Sequence, residues 1–441
     1  MLMYNVIVKK RDGGELTKEE IEFFVDGVAN RSIPDYQIAA FLMAVFLRGM
    51  NARETADLTL AMTNSGDVAD LSSIPGIKVD KHSTGGVGDK TTLMVTPIVA
   101  AAGIPVAKMT GKGMGHACGT VDKLDAIPGM RTSIGKDEFI QIVKDIGIGI
   151  VGQTENFVPA DKYTYALRDV TGTVDSIPLI AASVMSKKIA TGADRILLDV
   201  KTGTGAYIKK YEDAVTLAKT MVDIGRLANR RTSAIITDMN IPLGTHVGNA
   251  LETIEAITVL KNEASEDLTD FALYVAARML YLAEAGDIET CEGIAKDMLR
   301  SGKALEKFRQ LIEAQGGDSA VIDNPSVLRN AGIVTEIRAE RSGYIQCMDT
   351  TRVGMAGLML GAGRESKDAL IDYSAGIILK KKPGDYIEKE DVIAEFYTNK
   401  NEEARSNAKE EYLAAITMGD EQPPPQKLIH AYVDEAGMTE Y

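Results

Sequence analysis

Two glycine-rich segments carry the residue types that bind anions. The first runs from Lys81 to Asp89 and reads Lys-His-Ser-Thr-Gly-Gly-Val-Gly-Asp. Its glycines let the backbone turn tightly and approach an anion, while Lys81 supplies a full charge and Ser83 and Thr92 supply neutral donors. A helix beginning near Lys90 adds its free N–H groups and positive dipole end. We predict a phosphate site here, because a turn that serves packing alone does not need these polar residues.

The second segment repeats this chemistry after a second predicted strand. It runs from Lys108 to Lys123, and Thr110 and Thr120 are two further hydroxyl donors. Two such loops on neighbouring strands indicate an anion site more strongly than either loop alone. The first loop lacks the GxxxxGK[ST] frame, and residue 91 is threonine where a dinucleotide fingerprint needs its third glycine. The loops therefore predict a phosphate site outside these two nucleotide-binding classes.

A third set of residues, Arg168, Ser183 and Lys187, is suited to a polar heterocycle. Ser183 and Lys187 are four residues apart, so on a helix they share one face. From this spacing alone, a solvated helix face is the simpler interpretation. His82 is one of four histidines, and its place inside the first loop makes it the candidate proton donor to a leaving group. We interpret Cys118 as a small packing residue without a catalytic partner.

The composition is that of a soluble globular protein. The 441 residues are 45% hydrophobic, and the formal net charge of -14 argues against a general nucleic-acid binder. No apolar run is long enough to span a membrane, and the N-terminus lacks a signal-peptide pattern. Cys118, Cys291 and Cys347 form no CxxC pair, so neither a disulfide framework nor a zinc site is predicted. A reducing cytoplasm is expected.

Helical patterns open the chain. Thr17 and Glu20 form a capping box, Asp35 introduces a strongly apolar helix, and Asn51 with Glu54 starts a third helix. Helical spacing returns between about 159 and 190. Elsewhere, short strands that each run into a small-residue loop alternate with helices. This pattern is typical of an α/β domain whose site lies at the carboxyl ends of its strands.

We therefore predict an α/β fold with a small all-α domain. The helical domain takes residues 1–66 plus 159–191, and the α/β domain, with a mixed sheet, takes 74–158 plus 192–333. Short strands predict a C-terminal α+β subdomain of the α/β domain over 334–441. The site is expected in the cleft between the helical and α/β domains.

The chain resembles the thymidine/pyrimidine nucleoside phosphorylase family along essentially its whole length. The most specific match is the stretch from Gly111 to Asp125, and the first glycine-rich segment and the Arg168, Ser183 and Lys187 set match as well. The resemblance implies a homodimer whose domains close over a cleft. It also implies reversible phosphorolysis of pyrimidine ribonucleosides or deoxyribonucleosides to free base and (deoxy)ribose 1-phosphate. Inorganic phosphate is then a co-substrate, and no cofactor is needed.

The resemblance also assigns roles by position. Phosphate would be bound by Lys81, Ser83, Thr92, Lys108, Thr110 and Thr120. The nucleoside would be bound by Arg168, Ser183, Lys187, Tyr165, Met114, Ile180 and Tyr207. As catalytic residues, Arg168 and Lys187 would stabilise the departing pyrimidine anion, and His82 would donate a proton near the ring carbonyl.

The second loop departs from the family pattern. The usual Ser-Gly-Arg is Thr110-Gly111-Lys112, the usual Thr-Gly is Ala117-Cys118, and a usual Glu is Asp125. Thr110 keeps the hydroxyl, but Lys112 loses the planar fork of arginine. These changes bear on the choice among ribose, deoxyribose and modified-ribose nucleosides, which depends on fine pocket shape.

Lys90 is the most informative departure. Pyrimidine-type members of the family have threonine there, as part of a potassium site. The resemblance would complete that site with Glu255 and the backbone of Gly88, Leu243 and His246. An ammonium is compact, singly charged and a multiple donor. We therefore predict no metal: the Lys90 ammonium replaces K+ and pairs with Glu255.

Two other functions stay open at this point. A phosphoribosyltransferase of the anthranilate type has the same two-domain layout and uses magnesium, but no acidic magnesium motif is obvious in the matching loops. A non-catalytic nucleoside-binding homologue is the other hypothesis. The intact Lys81, His82, Arg168 and Lys187 argue against it.

Overall fold

The computed structural model describes residues 1–113, 115–153, 156–366 and 369–441. The chain opens with α1 (Met3–Arg11), α2 (Lys18–Ala29), α3 (Asp35–Arg48) and α4 (Ala52–Asn64). The capping box predicted at Thr17 and the helix start predicted at Asn51 are confirmed. Each of these side chains accepts the N–H of the glutamate three residues later, and that glutamate accepts the cap's own N–H, so Asn51 also forms a capping box. The sequence pattern missed α1, whose polar and apolar residues alternate irregularly.

Strands and helices then alternate. The first group is β1 (Val79–Ser83), α5 (Thr91–Ala101), β2 (Val106–Thr110), α6 (Thr120–Asp125), α7 (Lys136–Ile146) and β3 (Ile148–Gly152). The next group is α8 (Pro159–Thr171), α9 (Ile177–Ala190), β4 (Arg195–Thr202), α10 (Tyr211–Leu227) and β5 (Arg231–Asp238). It is followed by β6 (His246–Val247), α11 (Asn249–Leu260), α12 (Glu266–Leu282), α13 (Ile288–Arg300), α14 (Lys303–Ala314) and α15 (Ala320–Asp323).

The C-terminal part is an α+β subdomain. Its elements begin with β7 (Ile333–Arg338), β8 (Gly343–Met348), α16 (Thr350–Leu360), β9 (Gly376–Leu379) and β10 (Tyr386–Ile387). The chain ends with β11 (Val392–Thr398), α17 (Glu402–Ala414), β12 (Ile416–Gly419), β13 (Ile429–Asp434) and β14 (Gly437–Glu440). Two antiparallel sheets, ordered β10-β8-β12 and β6-β9-β11-β7, pack with α16 and α17 around a separate apolar core.

The small all-α domain is discontinuous in sequence. One apolar core joins α1 to α4 with α8 and α9, and the rings of Phe24 and Phe41 stack in it with centroids 4.0 Å apart. Leu179 of α9 is buried in the same core. Helices α8 and α9 therefore extend from the helical domain toward the sheet. No helix within the described ranges is both long and apolar enough to cross a membrane.

The large α/β domain is built on a mixed sheet, as predicted. The strand order is β14-β13-β5-β4-β1-β2-β3, with β1 to β5 parallel and β13 and β14 antiparallel. From β1, the chain continues to β2 and β3 on one side, and β4 and β5 add on the other side. Ligands of such sheets bind at the carboxyl ends of the strands where the order reverses, which here is between β1 and β4.

The structure corrects the strand predictions at three points. β1 continues through Ser83, so Lys81, His82 and Ser83, which were expected in the first loop, belong to a strand. β3 was missed, because it is short and contains two glycines. β13 pairs with β5 and β14 pairs with β13, so both belong to the large sheet, although the predicted subdomain 334–441 includes them.

Candidate active site

The cleft between the helical domain and the strand ends contains two cavities that share lining residues. Their volumes are about 390 Å³ and about 120 Å³. His82 and Tyr207 line both from the α/β side, and Tyr165 of α8 and Ser183 of α9 line both from the helical side. The predicted residues that line at least one cavity are His82, Ser83, Thr92, Lys108, Thr110, Thr120, Tyr165, Arg168, Ile180, Ser183, Lys187 and Tyr207. Met114 lies outside the described residues.

Lys81 is placed differently from the expectation. Successive side chains of a strand point to opposite faces, so Lys81 on β1 points away from the face that carries His82. Its side chain is fully buried, and its Nζ lies 3.0 Å from Asp199 Oδ2. Asp199 also accepts hydrogen bonds from Lys201 Nζ at 2.8 Å and Thr237 Oγ1 at 2.7 Å. The charge of Lys81 is therefore compensated within the protein.

Lys108 belongs to a buried cluster with a surplus of positive charge. Asp80 Oδ2 accepts a hydrogen bond from Lys188 Nζ at 2.8 Å, and Asp80 Oδ1 lies 3.7 Å from Lys108 Nζ. All three side chains are at most 2% exposed, so one carboxylate faces two ammonium groups that water does not screen. Burial and the nearby Lys188 charge hold the pKa of Lys108 well below its ordinary value. A cavity beside this cluster favours an anion.

His82 is held in its neutral form. Burial, and then the charges of Lys188 and Lys108, hold the pKa of His82 well below its ordinary value. A neutral imidazole still donates one N–H, but near neutral pH it does not carry the extra proton of an imidazolium. His82 therefore fits hydrogen bonding to a leaving base better than full proton transfer.

The helix face at Ser183 and Lys187 is part of a polar network and not merely solvated. Lys187 Nζ donates to Ser183 Oγ at 2.8 Å and to the carboxylate of Asp161 on α8. Asp161 is buried and also lines the larger cavity, and sequence reasoning missed it. Its spacing from Lys187 along the chain gave no signal, because the two residues lie on different helices.

Arg168 is fixed by backbone carbonyl groups. Its Nε donates to Thr173 O at 3.2 Å, its Nη1 to Leu179 O at 3.2 Å and its Nη2 to Val174 O at 2.6 Å. The guanidinium lies 5.7 Å from the centroid of the Tyr165 ring and is almost completely buried. The guanidinium therefore presents a preorganised positive charge to the smaller cavity.

Lys90 occupies a ring of oxygen acceptors. Its fully buried Nζ donates to the carbonyl groups of Leu243 at 2.6 Å and His246 at 3.0 Å, and to Glu255 Oε2. Burial opposes ionisation of Glu255, but Lys90 and His246 hold its pKa well below the ordinary value. The Gly88 carbonyl instead accepts the N–H of Lys90 itself at 2.8 Å. Among the described residues, no three His, Cys, Asp or Glu side chains form a group that could hold a metal ion.

Comparison with known families assigns the class of protein. The helical bundle domain of the glycosyl transferase family matches residues 4–66, and the a/b domain of that family matches 76–305. The pyrimidine nucleoside phosphorylase C-terminal domain matches residues 344–418. The fold and its cleft are thus those of a two-domain glycosyl transferase with an added C-terminal domain.

Individual relatives narrow this class. The pyrimidine-nucleoside phosphorylase of Geobacillus stearothermophilus is 52% identical over 403 residues, 91% of this chain and 93% of its own. That of Bacillus subtilis is 50% identical over 436 residues, covering 99% and 100% of the two chains. The chain belongs to the pyrimidine-nucleoside phosphorylase family. Anthranilate phosphoribosyltransferase from Thermus thermophilus has the same fold, with a TM-score of 0.58 and 18% identity over 70% of this chain and 99% of its own.

Phosphate binding is expected to take up a proton at Lys108. In the free protein the pKa of Lys108 is lowered, and a bound dianion favours the charged form and raises this pKa. Between the two pKa values, binding therefore draws a proton from solution. We expect calorimetric titrations between about pH 8 and pH 10, where free phosphate is already dianionic, to show a range of pH in which the heats depend on the ionisation enthalpy of the buffer.

The matched variants are Lys108→Met and Lys219→Met, the latter on the exposed face of α10. Lys108→Met should abolish the buffer dependence and weaken phosphate binding, whereas Lys219→Met should change neither. Proton uptake that persists in Lys108→Met would assign the titration to another group.

Proposed function

We propose that this enzyme catalyses the reversible phosphorolysis of pyrimidine ribonucleosides or deoxyribonucleosides to free base and (deoxy)ribose 1-phosphate. The observation that carries the proposal is one cleft lined by two different sets of donors. Lys108 brings surplus positive charge to one set, and Arg168, Ser183 and Lys187 form the other. The first set suits inorganic phosphate, and the second suits the carbonyl groups of a pyrimidine.

Cleavage of the glycosidic bond leaves negative charge on the departing pyrimidine and positive charge on the sugar. In our proposal, Arg168 and Lys187 stabilise the pyrimidine anion, and the neutral imidazole of His82 donates a hydrogen bond to it. Asp161 holds Lys187 in place. The net charge of Arg168, Lys187 and Asp161 together is +1, which matches the single negative charge of the leaving base. Tyr165, Ile180 and Tyr207 form the walls of the nucleoside site, and Met114 is proposed there by resemblance.

Phosphate attacks the sugar carbon from the face opposite the base. We propose Lys108 as its charged ligand, with the hydroxyl groups of Ser83, Thr92, Thr110 and Thr120 as neutral donors. Lys81 is not proposed as a direct ligand, because its Nζ is paired with Asp199. Closure of the helical domain over the cleft excludes water that would compete with phosphate.

Release of base from uridine, deoxyuridine or thymidine is expected to require phosphate and to persist in excess EDTA. Lys187→Met should lower kcat/KM by about 100-fold or more, the usual cost of removing one transition-state donor. Lys219→Met, an exposed lysine of α10, serves as the control. Release of base and pentose 1-phosphate is measured by chromatography. Activity that needs both magnesium and a phosphorylated sugar would favour the phosphoribosyltransferase, and no release from any nucleoside would favour a binding protein.

We further propose that the Lys90 ammonium replaces a potassium ion. The support is its buried ring of acceptors, which includes Leu243, His246 and Glu255. Exchange of potassium for tetramethylammonium should therefore leave the rate of the wild type within about twofold. Lys90→Thr removes the counter-charge of buried Glu255, a loss of about 3–5 kcal/mol, and should make the rate depend on potassium. A strong loss of wild-type activity without potassium would contradict the proposal that Lys90 replaces the ion.

We also propose a cytoplasmic homodimer formed by the helical domain. The support for the dimer is a set of large apolar side chains exposed on or next to α1 and α3: Met1, Leu2, Tyr4, Tyr36, Phe46 and Leu47. The free Cys118, Cys291 and Cys347 suit a reducing compartment. For the domains we propose the boundaries 1–66 plus 159–191 and 74–158 plus 192–333, with the subdomain 334–441 giving β13 and β14 to the large sheet.

Sedimentation tests the dimer. The wild type is expected at twice the 47.4 kDa chain mass. Tyr36→Glu combined with Leu47→Glu should shift it to the monomer, because each places a charge on an apolar contact. Val327→Glu, on an exposed site of the α/β domain, should not. A wild type that sediments as a single chain contradicts the dimer.

A further inference from the structure

Arg364, far along the chain, contacts the second glycine-rich loop. Its Nη1 donates to the carbonyl of Gly113 at 3.0 Å, and its Nη2 donates to Asp122 Oδ1 at 2.7 Å. Its backbone N–H donates to the carbonyl of Gly115 at 3.3 Å. The guanidinium fork therefore holds two groups of the loop at once, which the single ammonium of a lysine does not reproduce.

Asp122, which Arg364 binds, is in turn hydrogen-bonded to both ends of the loop, at Gly113 and Gly119. Its Oδ2 accepts the N–H of Gly113 at 2.6 Å and the N–H of Gly119 at 3.2 Å, and its side chain is fully buried. Gly113, Gly119 and the following Thr120 line the larger cavity. A buried carboxylate needs a counter-charge, and Arg364 supplies it.

The same loop packs closely on the C-terminal subdomain. The Cys118 thiol lies 3.5 Å from the carbonyl of Ala362. A Cβ at Gly363 would lie 2.4 Å from the carbonyl oxygen of Gly115, so only glycine permits this approach. The subdomain thus fixes the loop through Ala362, Gly363 and Arg364, which are not among the residues that line the cavity.

We propose that Arg364 is a positioning residue for the phosphate site, an inference that rests on the proposed function. Arg364 acts from outside the cavity, through Asp122 and Gly113. These two residues set where the loop backbone and the Thr120 hydroxyl present their donors. Loss of the guanidinium fork lets the ends of the loop separate, so phosphate loses donors. The base site, built on α8 and α9, keeps its own contacts.

Arg364 belongs to the C-terminal domain, whereas the loop that it contacts belongs to the α/β domain. The two glycosyl transferase domain matches cover residues 4–66 and 76–305, and Arg364 lies in the C-terminal domain match at 344–418. Under our proposal, the added domain contributes to phosphate binding although it places no predicted ligand in the cleft.

The test uses full-length Arg364→Lys, which keeps a charge near Asp122 but loses the fork. We expect the KM for phosphate to rise about tenfold, the size of one lost charge-assisted hydrogen bond, and the KM for uridine to change less than about twofold. The Kd for inorganic phosphate, measured by calorimetry without nucleoside, should rise with the phosphate KM. Asp122→Asn should act in the same direction, because it removes the charge that Arg364 binds.

Arg309→Lys is the matched control. Arg309 binds the Asp323 carboxylate through two contacts, at 3.2 Å and 2.8 Å, on the surface of the α/β domain. The Arg309→Lys variant should change neither the KM for phosphate nor the KM for uridine. The thermal unfolding midpoint of each variant is measured to show that the fold is intact.

The outcomes separate the two proposals. A folded Arg364→Lys whose phosphate KM and Kd stay within twofold of wild type overturns the positioning role, and so does an equal rise in both KM values. A wild type that binds phosphate but releases no base overturns the proposed function, and the Kd comparison then decides the role of Arg364. A wild type that binds no phosphate overturns both.

Discussion

Compensation of buried positive charge is the constraint on which the rest of the site depends. An ammonium group removed from water needs a carboxylate or a bound anion close by. In one buried cluster the charges are equal in number, with Asp89, Asp199 and Glu252 matching Lys81, Lys123 and Lys201. In the adjacent cluster, Asp80 alone faces Lys108 and Lys188. A protein of net charge -14 thus keeps a local positive surplus at its cleft, and an arriving anion completes the compensation.

The same constraint joins the two domains. Lys188 of α9 donates to Asp80 at 2.8 Å and to the carbonyl of Met109 at 2.8 Å, so the helical domain is tied to β1 and β2 by an ion pair. Its neighbour Lys187 lines the larger cavity and is held by Asp161. Two consecutive lysines therefore pair with carboxylates in different parts of the structure. In the sequence, each lysine is an ordinary cation on a helix. The partners that the fold brings to each of them give the two lysines different surroundings.

Local chemistry could be predicted from the sequence, and long-range pairing could not. The capping box at Thr17, the helix start at Asn51, the glycine-rich loops and the face shared by Ser183 and Lys187 depend on residues a few positions apart. The Asp80–Lys188 pair spans 108 positions and the Asp122–Arg364 pair spans 242, and no periodicity connects such partners. The orientation of Lys81 was misjudged for a local reason, since it depends on β1 continuing three residues farther, from Asp80 to Ser83.

The position of the Lys188–Asp80 pair limits how the cleft can open. Because α9 also packs apolar side chains against β4, β5 and α10, a rotation of the other helices of the helical domain would leave this pair and the adjacent Lys187 close to its axis. Atoms near a pivot travel short distances, while those far from it describe wide arcs. Such a rotation would therefore widen the entrance of the cleft more than it would change the distances around Lys187. Access to the cleft and the spacing of the groups beside the axis are then separate properties of the fold.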